Sequence, residues 1–368
     1  MLTYTQALRS HICKRIFKIE FLDENMITTG ERTLDVLNGS LNIELNSNAR
    51  RGCSLTFDNS RRMYIPNEDS EIWINKQFRL YTGLEIDGEE FLNLRGTFVI
   101  GNPSISSNFS SKTASITGLD KWKLLDGTLN GELEDTMEIP SGSSIAYAVN
   151  LVLTAAGDTI SPIVYATDVT TPSTIRKAPG SKYSEFLVEL ADFLSWEVFY
   201  DEEGRLRFQP PLDFETESSV WDFSTDEVTY RGSDHAYEFD KVKNVVKVTG
   251  DNIDAHTIYG IAEDTNIFSP FNIYKIPRNV KNIIDNIIHT ETFANQRAEY
   301  ELSKLIALQE SVSLKAFPID VINEGEIITI ADESCDLHRD RCQVQSIVYP
   351  LRNEGEMTMT VWKARKFT

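Results

Sequence analysis

Residues 36–59 read VLNGSLNIELNSNARRGCSLTFDN, and this stretch decides the fold class of the chain. Residues 41–46 alternate between aliphatic side chains and Asn or Glu. A period of two is typical of a β-strand that buries one face and exposes the other. A second run of apolar residues, CSLTF, follows at residues 53–57 after a polar connection. The stretch therefore predicts neighbouring strands and a β-rich domain.

Similar short runs lie on both sides of this stretch. They read IFKIEFLD at residues 16–23, IWINKQFRLYTGLEI at 72–86 and LRGTFVIGNPSIS at 94–106. Polar and glycine-containing segments separate these runs, and little helical periodicity lies between them. Closely spaced strands of this kind are typical of a barrel or a sandwich. The pattern predicts a first β-rich domain, a barrel or a sandwich, over residues 1–127.

The middle third has a different pattern and predicts a small α/β domain over residues 128–225. Ser143 or Ser144 is a suitable N-cap for a helix that extends to about Ala156. A second helix is expected after Gly180, with Ser181 as its N-cap. Its apolar stripe consists of Tyr183, Phe186, Leu187, Leu190 and Leu194.

A hairpin is predicted directly after the second helix. The sequence WEVFYDEEGRLRFQPP, residues 196–211, contains two strand-like runs around a turn at residues 201–204. This turn lacks the alternating oxygen ligands and the distal Glu of a calcium-binding loop. The pair of prolines at 210–211 ends the second run, because proline cannot donate a ladder hydrogen bond.

Strand patterns return over residues 226–368, and they predict a second β-rich domain, again a barrel or a sandwich. They read FDKVKNVVKVTG, HTIYGIAE, SVSLKAF, GEIITIAD, RCQVQSIVYP and EMTMTVWKAR. One helix is predicted among them, at residues 291–309. Its apolar face contains Ala294, Ala298, Leu302 and Leu305, and we expect this face to pack on the second domain.

A weak internal repeat relates the first and last thirds. The first third ends with an aliphatic strand before Pro103, a polar gap, and a Thr-containing strand before Trp122. The last third ends in the same way, with Pro350 before the gap and Trp362 after the second strand. The pattern is compatible with a duplicated β-unit, although hairpins share such residues by chance.

Composition excludes several classes of protein. The chain has 368 residues, with 36 basic and 56 acidic side chains, so its formal net charge is 36 − 56 = −20. This charge opposes tight binding to nucleic acid or to an anionic membrane, since both need a positive surface. The N-terminus has no uninterrupted apolar segment, so we expect no signal peptide. Four cysteines are too few for a disulfide scaffold, and reduced thiols are expected.

No phosphate-binding loop, dinucleotide fingerprint, zinc-protease motif or nucleophile elbow occurs in the sequence. The one ligand-like cluster is Cys335-x-x-His338-x-x-x-Cys342, together with nearby Asp332, Asp336 and Asp340. Structural zinc sites use four ligands in paired short spacings, and this cluster lacks a second pair. The sequence therefore favours a polar loop, with Cys342 buried as a small apolar residue. No catalytic, cofactor-binding or metal-binding residue is predicted.

Charged residues that resemble candidate sites are interpreted as surface features. Asp120, Asp126, Glu134 and Asp135 form a group of acids that is expected to be a solvated face. The basic pairs at residues 50–51 and 61–62 are expected at strand edges or loops. Charged side chains at such positions prevent edge strands from pairing with other chains.

Several ordered stretches resemble the baseplate hub, or late-control D-like tail hub, proteins of phages, especially phages of Gram-positive bacteria. They are residues 36–59, GTFVIGNPSIS with TASITGLDKWKLLDG, SKYSEFLVELADFLSWEVFYDEEGRLRF, NVVKVTGDN, ANQRAEYELSKL and MTMTVWKAR. Together these stretches extend over nearly the whole chain. None of them is a catalytic motif.

The resemblance implies a mainly β protein with an α+β insertion: two tube-like β-barrels and a small α/β domain. It implies a homotrimer whose six barrels adapt a hexameric tail tube to a threefold tip. The implied neighbours are the tail tube or distal tail protein, a tip, spike or tail lysin protein, and the tape measure protein. DNA would pass through the channel without specific binding. The expected location is the virion tail tip, after synthesis in the host cytoplasm. No lytic or receptor-binding extension is expected after Trp362.

Two other functions remain open from the residues. A tail-associated peptidoglycan hydrolase or glycosidase would use two of the many acids, and would need a cleft with a carboxyl of raised pKa. A carbohydrate-binding receptor protein would need an exposed cluster of aromatic side chains. The tail hub would need two similar barrels.

Overall fold

A computed structural model describes residues 4–9, 14–23, 25–33, 36–212, 216–224, 228–237, 242–250, 258–285, 288–307 and 310–363. Within these ranges the chain is mainly β. The helices in the described ranges are α1 (Tyr4–Leu8), α2 (Ile145–Ala155), α3 (Tyr183–Leu194) and α4 (Glu291–Ala307).

The strands fall into two groups, those before α2 and those after it. The first group is β1 (Lys14–Leu22), β2 (Thr28–Thr33), β3 (Val36–Glu44), β4 (Arg51–Asp58), β5 (Gln77–Ile86), β6 (Glu89–Ile100), β7 (Ser104–Ser107), β8 (Lys112–Asp120) and β9 (Met137–Ile139). The second group is β10 (Ile163–Val164), β11 (Ile175–Lys177), β12 (Glu197–Tyr200), β13 (Leu206–Gln209), β14 (Ser219–Asp222), β15 (Tyr230–Tyr237), β16 (Val245–Gly250), β17 (Tyr259–Glu263), β18 (Val280–Asp285), β19 (Glu310–Ala316), β20 (Ile327–Asp332), β21 (Leu337–Pro350) and β22 (Met357–Lys363).

One large sheet contains 14 of these strands and has two halves. The first half runs β3-β4-β8-β6-β5-β1-β2, and the second runs β15-β19-β22-β21, with β20 paired to β21 and β14 paired to β20. When β3 is matched with β15, the spatial order β3-β4-β8-β6-β5-β1 corresponds to β15-β19-β22-β21-β20-β14. The order along the chain also agrees. The two halves differ at their last pair, because β5 and β1 are antiparallel whereas β20 and β14 are parallel.

The closing hairpins predicted near Pro103 and Pro350 are confirmed. Strand β6 pairs antiparallel with β8, and β21 pairs antiparallel with β22. The same two strands occupy equivalent places in the strand order of their halves. The sequence repeat therefore coincides with a repeat of sheet topology.

Strands β3 and β21 join the two halves into one sheet. They are antiparallel, with Leu41 opposite Tyr349 and Ile43 opposite Ile347. These four side chains are at most 1% exposed. One hydrophobic core contains residues from both halves, such as Phe78 and Leu314. The halves are therefore packed together as well as hydrogen-bonded.

A second hydrophobic core contains buried side chains from Trp122 to Phe208, including those of α2, α3, β12 and β13, and this segment is called the insertion below. Helix α2 begins after Ser144, whose Oγ accepts a hydrogen bond from the Tyr147 backbone N–H. The predicted helix and its cap are thus confirmed. Helix α3 is also confirmed, but Ser181 is not its N-cap. Lys182 occupies that position, and its backbone N–H donates to Glu185 Oε1 at 3.3 Å, because the chain turns one residue later than predicted.

A third core lies between α4 and a separate three-stranded sheet, β17-β16-β18. The predicted apolar face of α4 is buried here, including Ala294, Ala298 and Leu302. The partners of this helix include Val246 of β16 and Ala262 of β17, which lie in the predicted 226–368 domain but in a sheet separate from the 14-stranded one. Periodicity identifies the buried face of a helix but not the sheet that covers it.

Candidate functional site

The buried Arg51 side chain connects all three regions of the chain. Its guanidinium donates to Glu324 Oε2 at 2.7 Å, to the Tyr200 carbonyl at 3.3 Å and, at 3.5 Å, to Glu202. The side chains of Arg51 and Glu324 are 4% and 3% exposed. Arg51 belongs to the first half, Tyr200 and Glu202 to the insertion, and Glu324 to the second half. Removing one partner of such a pair lowers the stability of the fold, because the other charge is then buried without a partner.

Arg50 makes a parallel contact with the insertion. Its guanidinium donates to Glu197 Oε2 at 2.9 Å and lies 3.4 Å from the centre of the Phe199 ring. The interpretation of residues 50–51 as edge charges is therefore wrong: both are buried, at 6% and 5% exposed. Residues 61–62 are exposed in a turn, in agreement with the prediction.

The hairpin turn of the insertion packs against the first half of the large sheet. Lys121 Nζ donates to the Gly204 carbonyl at 3.0 Å and pairs with Asp158 at 3.1 Å. Thr97 Oγ1 donates to the Glu202 carbonyl at 2.8 Å. Gly204 has a φ of 79°, and an added Cβ would lie 3.0 Å from Thr97. The turn predicted at residues 201–204 is confirmed, and its backbone holds the insertion in place.

A second buried polar cluster surrounds Asp320, where α1, β5, β6 and β21 meet. Its carboxylate accepts hydrogen bonds from Tyr4 at 2.8 Å, from Thr82 at 2.5 Å and from the Tyr349 hydroxyl. Arg95, which is 0% exposed, donates to the Asp320 backbone carbonyl at 2.5 Å. Burial and the nearby Asp320 charge raise the pKa of Tyr349. The cluster links the two halves of the large sheet, because Thr82 and Arg95 belong to the first half and Asp320 and Tyr349 to the second.

Asp120 is the predicted surface acid that the structure places inside the protein. It is 3% exposed, and burial raises its pKa to about 6. Its Oδ1 accepts from the Trp122 backbone N–H at 2.8 Å, and its Oδ2 from that of Arg51 at 3.1 Å. The interpretation of Asp120 as part of a solvated face is therefore wrong, whereas Glu134 and Asp135 are exposed. A raised pKa is also a property of catalytic acids, but this carboxylate is closed off from solvent.

We expect the Asp120→Asn variant to change the pH dependence of stability. Between pH 4 and 6 the folded carboxyl holds a proton that the unfolded chain, with a pKa of about 3.9, has released. The wild type therefore loses stability as the pH rises through this range, and the Asn variant does not. The free energy of unfolding of the variant, relative to wild type, should rise by up to about 3 kcal/mol between these pH values.

Urea denaturation at several pH values measures this difference, and Asp126→Asn is the matched control. Burial acts to raise the pKa of Asp126, but hydrogen bonds from Lys123 and Thr128 leave it lowered. Its ionised form stabilises the fold fully above about pH 4 and loses this effect only below that pH, so its variant should show little change relative to wild type between pH 4 and 6. An equal change of the free energy of unfolding with pH in the two variants would contradict the raised pKa of Asp120.

The Cys335, His338 and Cys342 side chains are not brought together. Cys342 is buried in β21, as predicted, and burial raises its pKa to about 12. His338 is exposed and contacts Asp336 at 3.1 Å, while the Cys335 thiol donates to the Ser233 carbonyl at 3.2 Å. In the described ranges no group of three His, Cys, Asp or Glu residues has the geometry of a metal site.

The acid-rich stretches have different environments. Glu132, Glu134 and Asp135 are exposed, as is Glu217. Glu324 is buried and paired with Arg51, so it is not available to line a solvent channel. Glu215 lies outside the described residues.

The small β17-β16-β18 sheet has an exposed apolar face opposite α4. On it Tyr259 and Ile261 of β17 and Val280 and Ile284 of β18 are between 42% and 80% exposed. Successive strand residues point to opposite faces, so these side chains and the core-facing residues alternate. No helix in the described part of the chain is long and apolar enough to cross a membrane.

The sequence matches no known family profile, and no curated protein is similar to it in sequence. Solved structures are similar in fold. The tail protein of Neisseria meningitidis MC58 has a TM-score of 0.68 at 10% identity, covering 95% of this chain and 96% of its own. The 43 kDa tail protein of prophage MuSo2 from Shewanella oneidensis has a TM-score of 0.65 at 13% identity, covering 95% and 98%.

A third similar structure is the prophage tail protein gp18 of Listeria monocytogenes EGD-e. Its TM-score is 0.55 at 13% identity, and the match covers 95% of each chain. Each of these three matches covers 95% of this chain. The resemblance to phage tail hub proteins is thus confirmed at the level of the fold, and the chain has the fold of a phage tail protein.

Proposed function

We propose that this protein is the tail hub of a phage or phage-like particle. The observation that carries the proposal is the repeated strand order, β3-β4-β8-β6-β5-β1 and β15-β19-β22-β21-β20-β14, within one chain. Each half corresponds to one tube-like β-barrel, with residues 1–127 predicted as the first, 128–225 as the α/β insertion and 226–368 as the second. Because β14 (Ser219–Asp222) pairs with β20, the second half begins a few residues before 226. Three chains then supply six similar units.

This arrangement solves a problem of symmetry. A hexameric tail tube presents six equivalent contacts, whereas a threefold tip presents three. A trimer with an internal repeat meets both within a closed ring. Its neighbours would be the tail tube or distal tail protein on one side and the tip, spike or tail lysin protein on the other, with the tape measure protein inside. The protein would be made in the host cytoplasm and function in the virion.

The channel of such a ring must let DNA pass without binding it. Three chains carry 3 × −20 = −60 formal charges. Negative walls repel phosphate, whereas positive walls bind it. The exposed acids Glu132, Glu134 and Asp135 are candidates for the lining, although net charge also serves solubility.

A structural role is favoured over the alternative of a hydrolase. Asp120 has the pKa that a general acid needs, but both of its oxygens accept backbone N–H groups and its side chain is buried. Purified protein should leave peptidoglycan intact. Turnover that a single Asp or Glu substitution abolishes would support the hydrolase instead.

Cryo-electron microscopy of tails that contain this protein tests the proposal. We expect three copies in a ring at the end of the tail tube, with an acidic or neutral channel. A different copy number, a position on the outside of the tail, or a channel lined mainly by Lys and Arg would contradict it.

A further inference from the structure

The β3–β21 pair shows how one half of the large sheet joins the other. β3 is the first strand in the spatial order of its half, and it pairs with residues 346–350 at the end of β21. Two further backbone hydrogen bonds extend this contact, from Leu45 N–H to the Gln345 carbonyl and from Leu351 N–H to the Gly39 carbonyl. The contact is thus a continuous antiparallel ladder.

The repeat assigns a counterpart to each strand of this pair. β15 corresponds to β3, because both begin the matched order and pair antiparallel with the next strand. β6 corresponds to β21, because β6 lies between β5 and β8 in the sheet and β21 lies between β20 and β22. The segment that follows β6, through Pro103 into β7, corresponds to the end of β21 near Pro350.

Both counterparts pair with a strand on one side only in the described part of the chain, and the Cys335 thiol also donates to the Ser233 carbonyl of β15. β15 is the end strand of the large sheet and pairs with β19 on one side. β7 pairs with β8 on one side, and all four of its residues are exposed. The exposed residues include Ile105, at 46%. An open edge presents unpaired backbone groups and is a template for another strand.

We infer that β15 of one copy pairs antiparallel with the β6–β7 segment of a second copy, as β3 pairs with β21 within the chain. The inference rests on the proposed ring and specifies its subunit contact. Each copy offers one β15 and one β7 edge, so the contact is head-to-tail, and such contacts close into a ring when the rotation permits. Backbone hydrogen bonds supply the affinity, as in other cases of strand addition.

The composition of the two edges fits a contact that forms late. Arg231 and Asp234 on β15 are exposed, and β7 reads SISS. The internal pair is instead apolar on its buried face, with Leu41 opposite Tyr349. Charged and small polar residues keep an edge strand from pairing at random before assembly. Strands β15 and β7 are therefore more soluble before assembly than the apolar strands β3 and β21 would be if they were separated.

Disulfide crosslinking of the full chain tests this contact. The background carries Cys13→Ser and Cys335→Ser, since the buried Cys53 and Cys342 are shielded. Ala236→Cys on β15 is combined in turn with a cysteine at each of the four β7 positions. Opposed residues of paired strands have Cβ atoms about 4.5–5.5 Å apart, close to disulfide geometry. Oxidation at rising protein concentration should give linked species that end at three chains, at one or two of the four positions.

The matched control places the second cysteine at Thr28, on the other exposed edge strand β2. We expect no linked trimer from Ala236→Cys with Thr28→Cys, nor from Ala236→Cys alone. Linkage through β2, linkage of β15 to itself, or no linkage at any concentration would overturn the inference.

Hydrogen exchange of the unmodified protein gives a second measure that does not depend on the cysteines. Amides of residues 101–107 and 230–237 should exchange about tenfold more slowly, or slower still, at concentrations where trimers form. A three-chain ring in which these amides stay unprotected and the cysteines stay unlinked would refute the β15–β7 contact alone. Tails that contain this chain in another copy number would refute the proposed hub.

Discussion

Replacing Arg51 with Met is expected to destabilise the protein by about 3–5 kcal/mol, because it leaves a buried carboxylate without its partner. Glu324 is 3% exposed and accepts from the guanidinium at 2.7 Å, so it cannot turn into solvent as Glu202, 33% exposed, can. The Tyr200 carbonyl loses a donor in the same variant. The loss should appear in the free energy of unfolding from urea titration.

The double variant Arg51→Met with Glu324→Leu shows how much of the loss of stability comes from the unpaired Glu324 carboxylate and how much from the other contacts of Arg51. Removing both charges relieves the unpaired carboxylate, so the double variant should be more stable than Arg51→Met alone, by about 1–3 kcal/mol. Arg176→Met is the matched control: Arg176 and its partner Glu138 are 67% and 48% exposed. Exposed pairs contribute less than about 1 kcal/mol. An equal loss of stability in Arg176→Met and Arg51→Met would contradict the role given to the buried Arg51–Glu324 pair.

Arg51 also illustrates what the sequence could not reveal. A pair of arginines between two strand patterns is usually exposed, since charged side chains are rarely buried without a partner. The partner here lies 273 positions away in the chain, at Glu324. No local pattern relates residues so distant. The same reason explains Asp120, whose burial depends on an insertion that packs over it.

The elements predicted well were those whose local pattern has one physical cause. Strand β3 alternates in exposure because one face is covered, and α2 begins where Ser144 can cap it. Strand β15 was missed because YRGSDHAY has no apolar alternation. Its residues form a strand through pairing with β19, which lies on the far side of the α4 segment. Sheet edges with polar sequences therefore escape detection, although assembly depends on them.

The order of the whole sheet was partly foreseen from its repeat. Matching hairpins near Pro103 and Pro350 predicted duplication, and the strand order agrees with it. The separate sheet under α4 was not foreseen, since its strands β16 and β17 have the same patterns as those of the large sheet. A strand pattern predicts that one face of the strand is buried, but it does not predict which elements cover that face.

The α4 unit is also where a single substitution should have a large and local effect. Leu302 is 8% exposed and packs in a core with Val246, Val248 and Ala262. Leu302→Asp would bury an unpaired charge there, at a cost of several kcal/mol. This core is small and separate from that of the large sheet, so the expected result is unfolding of α4 and β16–β18 before the rest.

Hydrogen exchange followed by mass spectrometry distinguishes local from global unfolding. In Leu302→Asp, amides of residues 291–307 should lose protection while those of 337–350 keep it, and assembled tails should become scarce. Gln296→Asp puts the same charge on the exposed face of α4 and should leave both segments protected. Helix α4 also holds the insertion through Arg297, which pairs with Asp192 at 3.0 Å, so detachment should loosen α3 as well. Unchanged melting and exchange in Leu302→Asp would show that α4 is not packed as described.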